Sequence, residues 1–200
     1  MLHESDFPFP VSRETLTQLD VYVSTLLQWN KRINLIAQST TPDLVKRHVL
    51  DSAQIYPLIP TQAERVIDLG SGAGFPGLIL ALLSDKEVHL IESDKRKTVF
   101  LQEVARLTGA TAFIHCSRIE DVKDLQADVI TARALAPLHL LLEVAEPFLH
   151  SSSICLFPKG ENYIKELDEV RGWTYRKTIY PSTVHPGSAI VQLSHLQRDL

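Results

Sequence analysis

Apolar residues change their period once along this chain, and the change divides it. Leu16, Leu19, Val23, Leu26 and Leu27 recur at helical spacing behind Ser12, a residue type that caps helix starts. Thr41-Pro42 reads as a second cap with proline at the first helical position, opening a helix that carries Leu44, Val45, His48 and Val49. The intervening QWNKRINLIAQST is too polar and Asn-rich to be core throughout. From Arg65 onward the apolar runs shorten to strand length: RVIDL (65–69), EVHLIE (87–92), TAFIHC (111–116), ADVITA (127–132) and SICLF (153–157). Helix-like stretches at 78–84, 97–108 and 136–149 separate most of them, the alternation that builds a parallel sheet. After a helix-like ENYIKELDEV, the runs WTYRKTIYP and SAIVQLS are joined only by the turn-rich STVHPG. The pair is a hairpin candidate and leaves one antiparallel strand in a seven-stranded α/β sheet. The expected organisation is a helical extension over residues 1–60 and a sheet domain over 61–200.

Composition narrows the class. With 44% hydrophobic residues in 200, the chain buries a full core without metal or disulfide staples. Cys116 and Cys155 lie in apolar segments without CxxC spacing and read as buried free thiols, which fits a reducing cytoplasmic location. No signal peptide or membrane span is expected from MLHESDFPFP or from the charge-interrupted apolar runs. The formal charge of -4 does not advertise a nucleic-acid partner. Two stretches run against it: Lys31, Arg32, Lys46 and Arg47 outnumber Asp43 and Asp51, and Lys95, Arg96, Lys97, Arg106 and Arg118 face only Glu103. Solvated helix faces and an RNA-backbone surface both fit such charge runs.

The chemistry concentrates at VIDLGSGAGFPG (66–77). Gly70, Gly72 and Gly74 follow a strand, so the backbone turns sharply and lies close to a ligand at the carboxyl end of the sheet. Gly72-x-Gly74-x-x-Gly77 also satisfies the dinucleotide fingerprint, so the glycines alone admit a nicotinamide cofactor or S-adenosylmethionine. Glu92, at the end of the next strand, is placed to accept both hydroxyls of a ribose, or is a surface acid beside Lys95 and Arg96. Asp68 favours adenosylmethionine, because an acid there suits a cationic amino group and repels a pyrophosphate; the alternative is a carboxylate that only accepts N–H groups of the turn. Single-domain length favours it too, since a dehydrogenase normally carries a substrate domain. IEDVKD (119–124) reads equally as an adenine-side loop or a helix cap. His115 and His139 lie at no metal spacing, and no metal site is expected.

LLQWNKRINLIA (26–37), RHVLDS (47–52), VIDLGSGAGFPG, IESDKRKTVFL (91–101), SRIED (117–121), ITARAL (130–135) and FPKG (157–160) together resemble the bacterial small-subunit rRNA guanine-N7 methyltransferase family, once called glucose-inhibited division protein B. The resemblance spans nearly the whole chain. It implies a class I, Rossmann-like methyltransferase fold, S-adenosyl-L-methionine as cofactor, and a guanine of 16S rRNA as acceptor. It implies that Gly70 and Phe75 touch the cofactor, that Ile119 and Glu120 flank its adenine, that Glu92 takes the ribose and that Arg133 completes the site. A lone arginine at a strand end also suits a plain ion pair. For the RNA, Arg32, Arg47 and Lys159 suit phosphate contacts, while Asn34 or Asp51 suits a guanine edge. Asn30, Lys31, His48 and Ser52 lie in the same motifs, and Trp29 either plugs the extension onto the domain or stacks on a base. Guanine N7 is a lone-pair nucleophile without a proton, so alignment suffices and no side chain is assigned as catalytic. The implied partner is 16S rRNA within the 30S subunit or an assembly intermediate, with the enzyme a monomer. A small-molecule methyltransferase and a non-catalytic ribosome-assembly factor are the competing readings.

Overall fold

The computed structural model describes residues 2–199. Seven strands, β1 (Arg65–Leu69), β2 (Glu87–Glu92), β3 (Ala112–Cys116), β4 (Val129–Thr131), β5 (Ile154–Lys159), β6 (Trp173–Pro181) and β7 (Ala189–Arg198), form one sheet in the order β3-β2-β1-β4-β5-β7-β6. β7 runs antiparallel to β5 and to β6, and the remaining pairings are parallel, as the hairpin ending implies. Period-two alternation sends Val66, Val88, Leu90, Val129 and Leu156 to one core, and Ile67, Leu69, Ile91, Ile130 and Phe157 to the other. The first core is closed by α3 (Gly77–Leu83), α4 (Lys95–Thr108) and the N-terminal segment; the second is closed by α5 (Leu138–Ala145) and α6 (Tyr163–Glu169). No helix of the described residues is long and apolar enough to cross a membrane.

Helix α1 (Arg13–Trp29) starts where the pattern places it, with Ser12 Oγ accepting from Thr15 N at 3.0 Å. Asp94 caps α4 by accepting from Arg96 N at 2.8 Å, and Gly109 closes it in the left-handed region at φ 71°. Leu19, Tyr22 and Leu26 on α1 enter the same core as Phe75, Leu78 and Phe100, so the extension is packed into the sheet's first layer. Trp29 packs onto that core, its ring 5.7 Å from that of Phe100, and remains half-buried.

Three expectations need correction. Thr41-Pro42 is not a helix cap: both lie inside a 3-10 turn (Gln38–Asp43), followed by a π-helical turn (Val45–Leu50) and the short α2 (Asp51–Ala53). The helix expected over 136–149 is α5 followed by a 3-10 turn (Glu146–Phe148), because Pro147 has no N–H to continue the helical ladder. Cys155 is buried, and burial pushes its thiol pKa up, but Cys116 is exposed because it ends the edge strand β3.

Candidate active site

The glycine turn leaves β1 and is tied on three sides. Ser71 N donates to Ile91 O on β2 at 3.1 Å, Gly74 N to Ser71 O at 2.7 Å, and the Tyr22 hydroxyl to the Ala73 carbonyl. Gly74 and Gly77 are among the positions of the turn that resist a side chain. Gly74 has φ +94°, and a Cβ there meets Leu78 Cδ1 and the Tyr22 hydroxyl at 2.7 Å; at Gly77 a Cβ meets Asp68 Oδ2 at 2.6 Å. Asp68 lies beneath the turn, fully buried, and its Oδ2 accepts from Gly77 N at 3.1 Å. Its Oδ1 is buried without a hydrogen-bond partner, and burial pushes its pKa up to about 7.

Above the turn lies a cavity of about 530 Å³ whose wall contains Gly70, Gly72, Phe75, Glu92, Ile119, Glu120 and Arg133. Glu92 Oε2 accepts from Gly72 N at 2.9 Å and Oε1 from Asp94 N at 2.8 Å, so the carboxylate links the turn to the start of α4. A carboxylate offers about four acceptor sites, which leaves each oxygen a lone pair for a second donor. Gly72 to Glu92 and the apolar Ile119 beside Glu120 therefore fit a nucleoside: vicinal hydroxyls on the carboxylate and a base against Ile119. The size is that of an ordinary small-molecule site.

Phe75 stands between this cavity and the N-terminal segment. Tyr22 stacks on it at 5.3 Å, His48 at 5.2 Å, and the Arg133 guanidinium lies 5.1 Å over its ring. Arg133 donates to His48 Nδ1 at 2.9 Å, to the Arg47 carbonyl at 3.2 Å and to Asp51 Oδ2 at 3.4 Å. The ion pair that the sequence left open thus exists, and the same arginine also faces the cavity. Burial, then Arg133, Arg47 and His185, lower the His48 pKa to about 4; its ring is neutral at pH 7, as an acceptor must be. Burial raises the Asp51 carboxyl above its ordinary value, with Arg133 opposing.

His48, Arg133 and Ala134 also wall a second cavity, of about 410 Å³, which Arg47, Asp51, Lys159, Ser182 and His185 complete. Lys159 is held by Glu166 at 2.5 Å and donates to the Ala136 carbonyl at 3.0 Å. Glu166 also accepts from Leu138 N at 2.8 Å, so the pair braces the loop between β4 and α5. Among the described residues no group of three or more His, Cys, Asp and Glu could hold a metal ion.

The family model described as rRNA small subunit methyltransferase G, GidB, matches residues 15–188. The chain belongs to the GidB family. It is 51% identical over 189 residues to the ribosomal RNA small subunit methyltransferase G of Rhodospirillum centenum, covering 94% of this chain and 88% of the relative. To the protein of the same name in Paramagnetospirillum magneticum it is 49% identical, covering 94% and 92%. Among solved structures it is similar to M. jannaschii TYW2 in complex with AdoMet, at TM-score 0.58 and 19% identity, with 84% of this chain and 80% of that one covered; this likeness bears on the fold alone.

Within this GidB chain, seven of the nine residues expected around the cofactor line one cavity. Asp68 and Gly74 do not reach it: Asp68 is beneath the turn, and Gly74 faces α1. Of the four residues expected at RNA, Arg47 and Lys159 line the second cavity, and the charge of Lys159 is already paired with Glu166. Arg32 lies in a separate groove beside α4, and Asn34 is exposed and lines none of these spaces. Asn30 is a loop brace, its Oδ1 accepting from Leu35 N and Ile36 N at 2.9 and 3.0 Å. Sequence reasoning missed Leu35, Ile36, Lys97 and Leu135 at the first cavity and Ser182 and His185 at the second. The last two arrive on the β6–β7 loop, which Gln54 ties back by accepting from Thr183 N at 3.0 Å. STVHPG carried only a turn signal.

Proposed function

We propose that this GidB-family chain transfers a methyl group from S-adenosyl-L-methionine to N7 of a guanine in 16S rRNA. The observation that carries the reading is the pair of adjoining cavities sharing Arg133 and His48, one with a carboxylate set for a ribose and the other open beside it. A pyrophosphate cofactor fits poorly, because Asp68 already occupies the first N–H of α3, where a dinucleotide's phosphates would sit.

Glu92 holds the ribose, Ile119 and Glu120 border the adenine, and Gly70, Gly72 and Phe75 form the surface beneath. Asp68 acts from below by fixing Gly77 and adds an electrostatic bias toward a cationic ligand. When bound, adenosylmethionine supplies an electrophilic sulfonium methyl. The acceptor cavity needs no general base, since N7 carries no proton, and a neutral His48 agrees with that. Arg133 and His48 shape the passage between the cavities, so their work is alignment. Asp51, paired with Arg133, offsets that cation in the acceptor wall and limits its repulsion of the positive charge that methylation leaves on the purine. Arg47 and Arg32 are phosphate contacts, and Asn34 meets the RNA from the exposed loop. The overall charge of -4 argues for presentation of the guanine within the 30S subunit or an assembly intermediate, with the enzyme working as a cytoplasmic monomer.

The test is radiolabel transfer from adenosylmethionine to undermethylated 30S particles and to protein-free 16S rRNA, followed by mapping of the modified base. Label at guanine N7 is expected; absence of transfer, or label on another atom, rejects the reading. A calorimetric titration in which a nicotinamide cofactor binds and adenosylmethionine does not rejects it as well.

A further inference from the structure

The two basic stretches of the sequence lie far apart in the chain but meet in the fold. Where α1 packs on α4, a groove of about 660 Å³ is lined by Lys31 and Arg32 from the loop after α1 and by Lys95 and Arg96 from the first turn of α4. Its floor is apolar: Trp29, Ile33 and Val99, the last 51% exposed although large and aliphatic. Lys31, Arg32 and Lys95 are exposed and in no ion pair among the described residues, while Arg96 is held by Asp94 at 3.0 Å. Four cations against one carboxylate concentrate positive charge on a protein whose net charge is -4. Lys95, Arg96 and Lys97 also stand at the N-terminal end of α4, where cations oppose the helix dipole. Local conflict of this kind marks surfaces kept for a purpose other than stability.

We propose that this groove binds a single-stranded segment of 16S rRNA flanking the target guanine. Lys31, Arg32 and Lys95 take its phosphates, and a base rests on the apolar floor, the combination used by single-strand binders. The groove adjoins the cofactor cavity: Ser93 and Lys97 flank Lys95 and Arg96 in sequence, Leu35 and Ile36 follow Ile33, and all four line that cavity. The groove and the cofactor cavity are thus built from the same two segments, and a strand lying here is directed toward that cavity. The inference rests on the rRNA reading of the activity.

Filter binding of protein-free 16S rRNA, measured between about 50 and 200 mM salt, tests it without requiring turnover. Removing two phosphate contacts in Lys31→Ala/Lys95→Ala is expected to lower the slope of log K against log salt by about 1.4 and affinity at 0.1 M salt by about 25-fold. Adenosylmethionine affinity should not move, and the melting temperature should hold or rise slightly, because Lys95 opposes the dipole of α4. Should the double variant melt lower, Lys95→Gln alone is expected to lower the slope by about 0.7. An unchanged slope overturns the proposal. So does weaker binding to 30S particles with unchanged binding to bare rRNA, which points to a ribosomal protein as the occupant. Wild-type protein that shows the salt slope but transfers no methyl refutes the proposed activity and leaves the groove standing; wild type that methylates while the variants bind equally well refutes the groove alone.

Discussion

Glu92 offers the sharpest test of the cofactor cavity. Its two oxygens each accept one backbone N–H, from Gly72 at 2.9 Å and Asp94 at 2.8 Å, so the side chain both positions the turn and lines the cavity. Glu92→Gln keeps the shape but replaces one acceptor by a donor. One charge-assisted bond to a ribose hydroxyl is lost, about 1.5–3 kcal/mol, or about 10- to 150-fold in affinity. Glu92→Ala removes both bonds, about 3–6 kcal/mol, and adenosylmethionine affinity should fall by about two to four decades. Both hydrogen bonds are only part-buried, so water can replace the carboxylate at the two backbone N–H groups, and the loss of stability should be smaller, about 1–3 kcal/mol. Calorimetric titration gives the affinities and urea unfolding the stability. The order wild type, Glu92→Gln, Glu92→Ala is expected in affinity. If Glu92→Ala binds adenosylmethionine within threefold of wild type while folded, the ribose assignment is wrong and Glu92 is only a turn brace.

Gly74→Ala must place a Cβ 2.7 Å from Leu78 and the Tyr22 hydroxyl at φ +94°, so a loss of about 2–4 kcal/mol in urea unfolding is expected; a loss under about 0.5 kcal/mol would mean the turn is looser than described. Burial lowers the His48 pKa to about 4, below its unfolded value. The unfolded chain thus binds more protons between about pH 6.5 and 4, and stability from this group is lost as pH falls through that window. Relative to His48→Gln, wild type should lose about 1–2 kcal/mol on acidification from pH 7 to 4, after allowance for solvent screening; parallel pH profiles contradict this. Asp68 works in the opposite sense. Its pKa is raised to about 7 in the fold, so its contribution is lost as pH rises from the ordinary carboxylate range through 7. Cofactor-free Asp68→Asn should gain stability over wild type on going from pH 5 to pH 8, by a few kcal/mol at most, and a difference that does not vary with pH would show that the buried carboxyl does not titrate there.

Features that depend on neighbours in the chain were legible in the amino-acid order. Alternation at period two and at helical spacing locates the seven strands and the main helices, and Ser12 marks the start of α1. A glycine turn after β1 and an acid at the end of β2 must lie side by side once β1 and β2 pair in parallel, and the register puts Asp68 opposite Leu90 and Leu69 opposite Ile91. That is why Gly70, Gly72 and Glu92 were found from spacing and meet in one cavity. Local signals also misled: the cap-and-proline pattern of Thr41-Pro42 lies inside a 3-10 turn, and the apolar flank of Cys116 did not bury it, because it ends the edge strand β3.

Contacts between distant segments were decided by the tertiary structure. Arg133 meets His48 and Asp51 because both sides close on Phe75, and nothing in either segment encodes the other's position. Lys159 looked available for phosphate until Glu166 from α6 took its charge, and Asp68 looked like a wall residue until the turn folded over it. Lys31 and Lys95 became one surface only when α1 packed across α4. Periodicity and turn chemistry act over a few residues and can be read along a line; desolvation, ion pairing and shared cavity walls depend on which surfaces the core brings into contact.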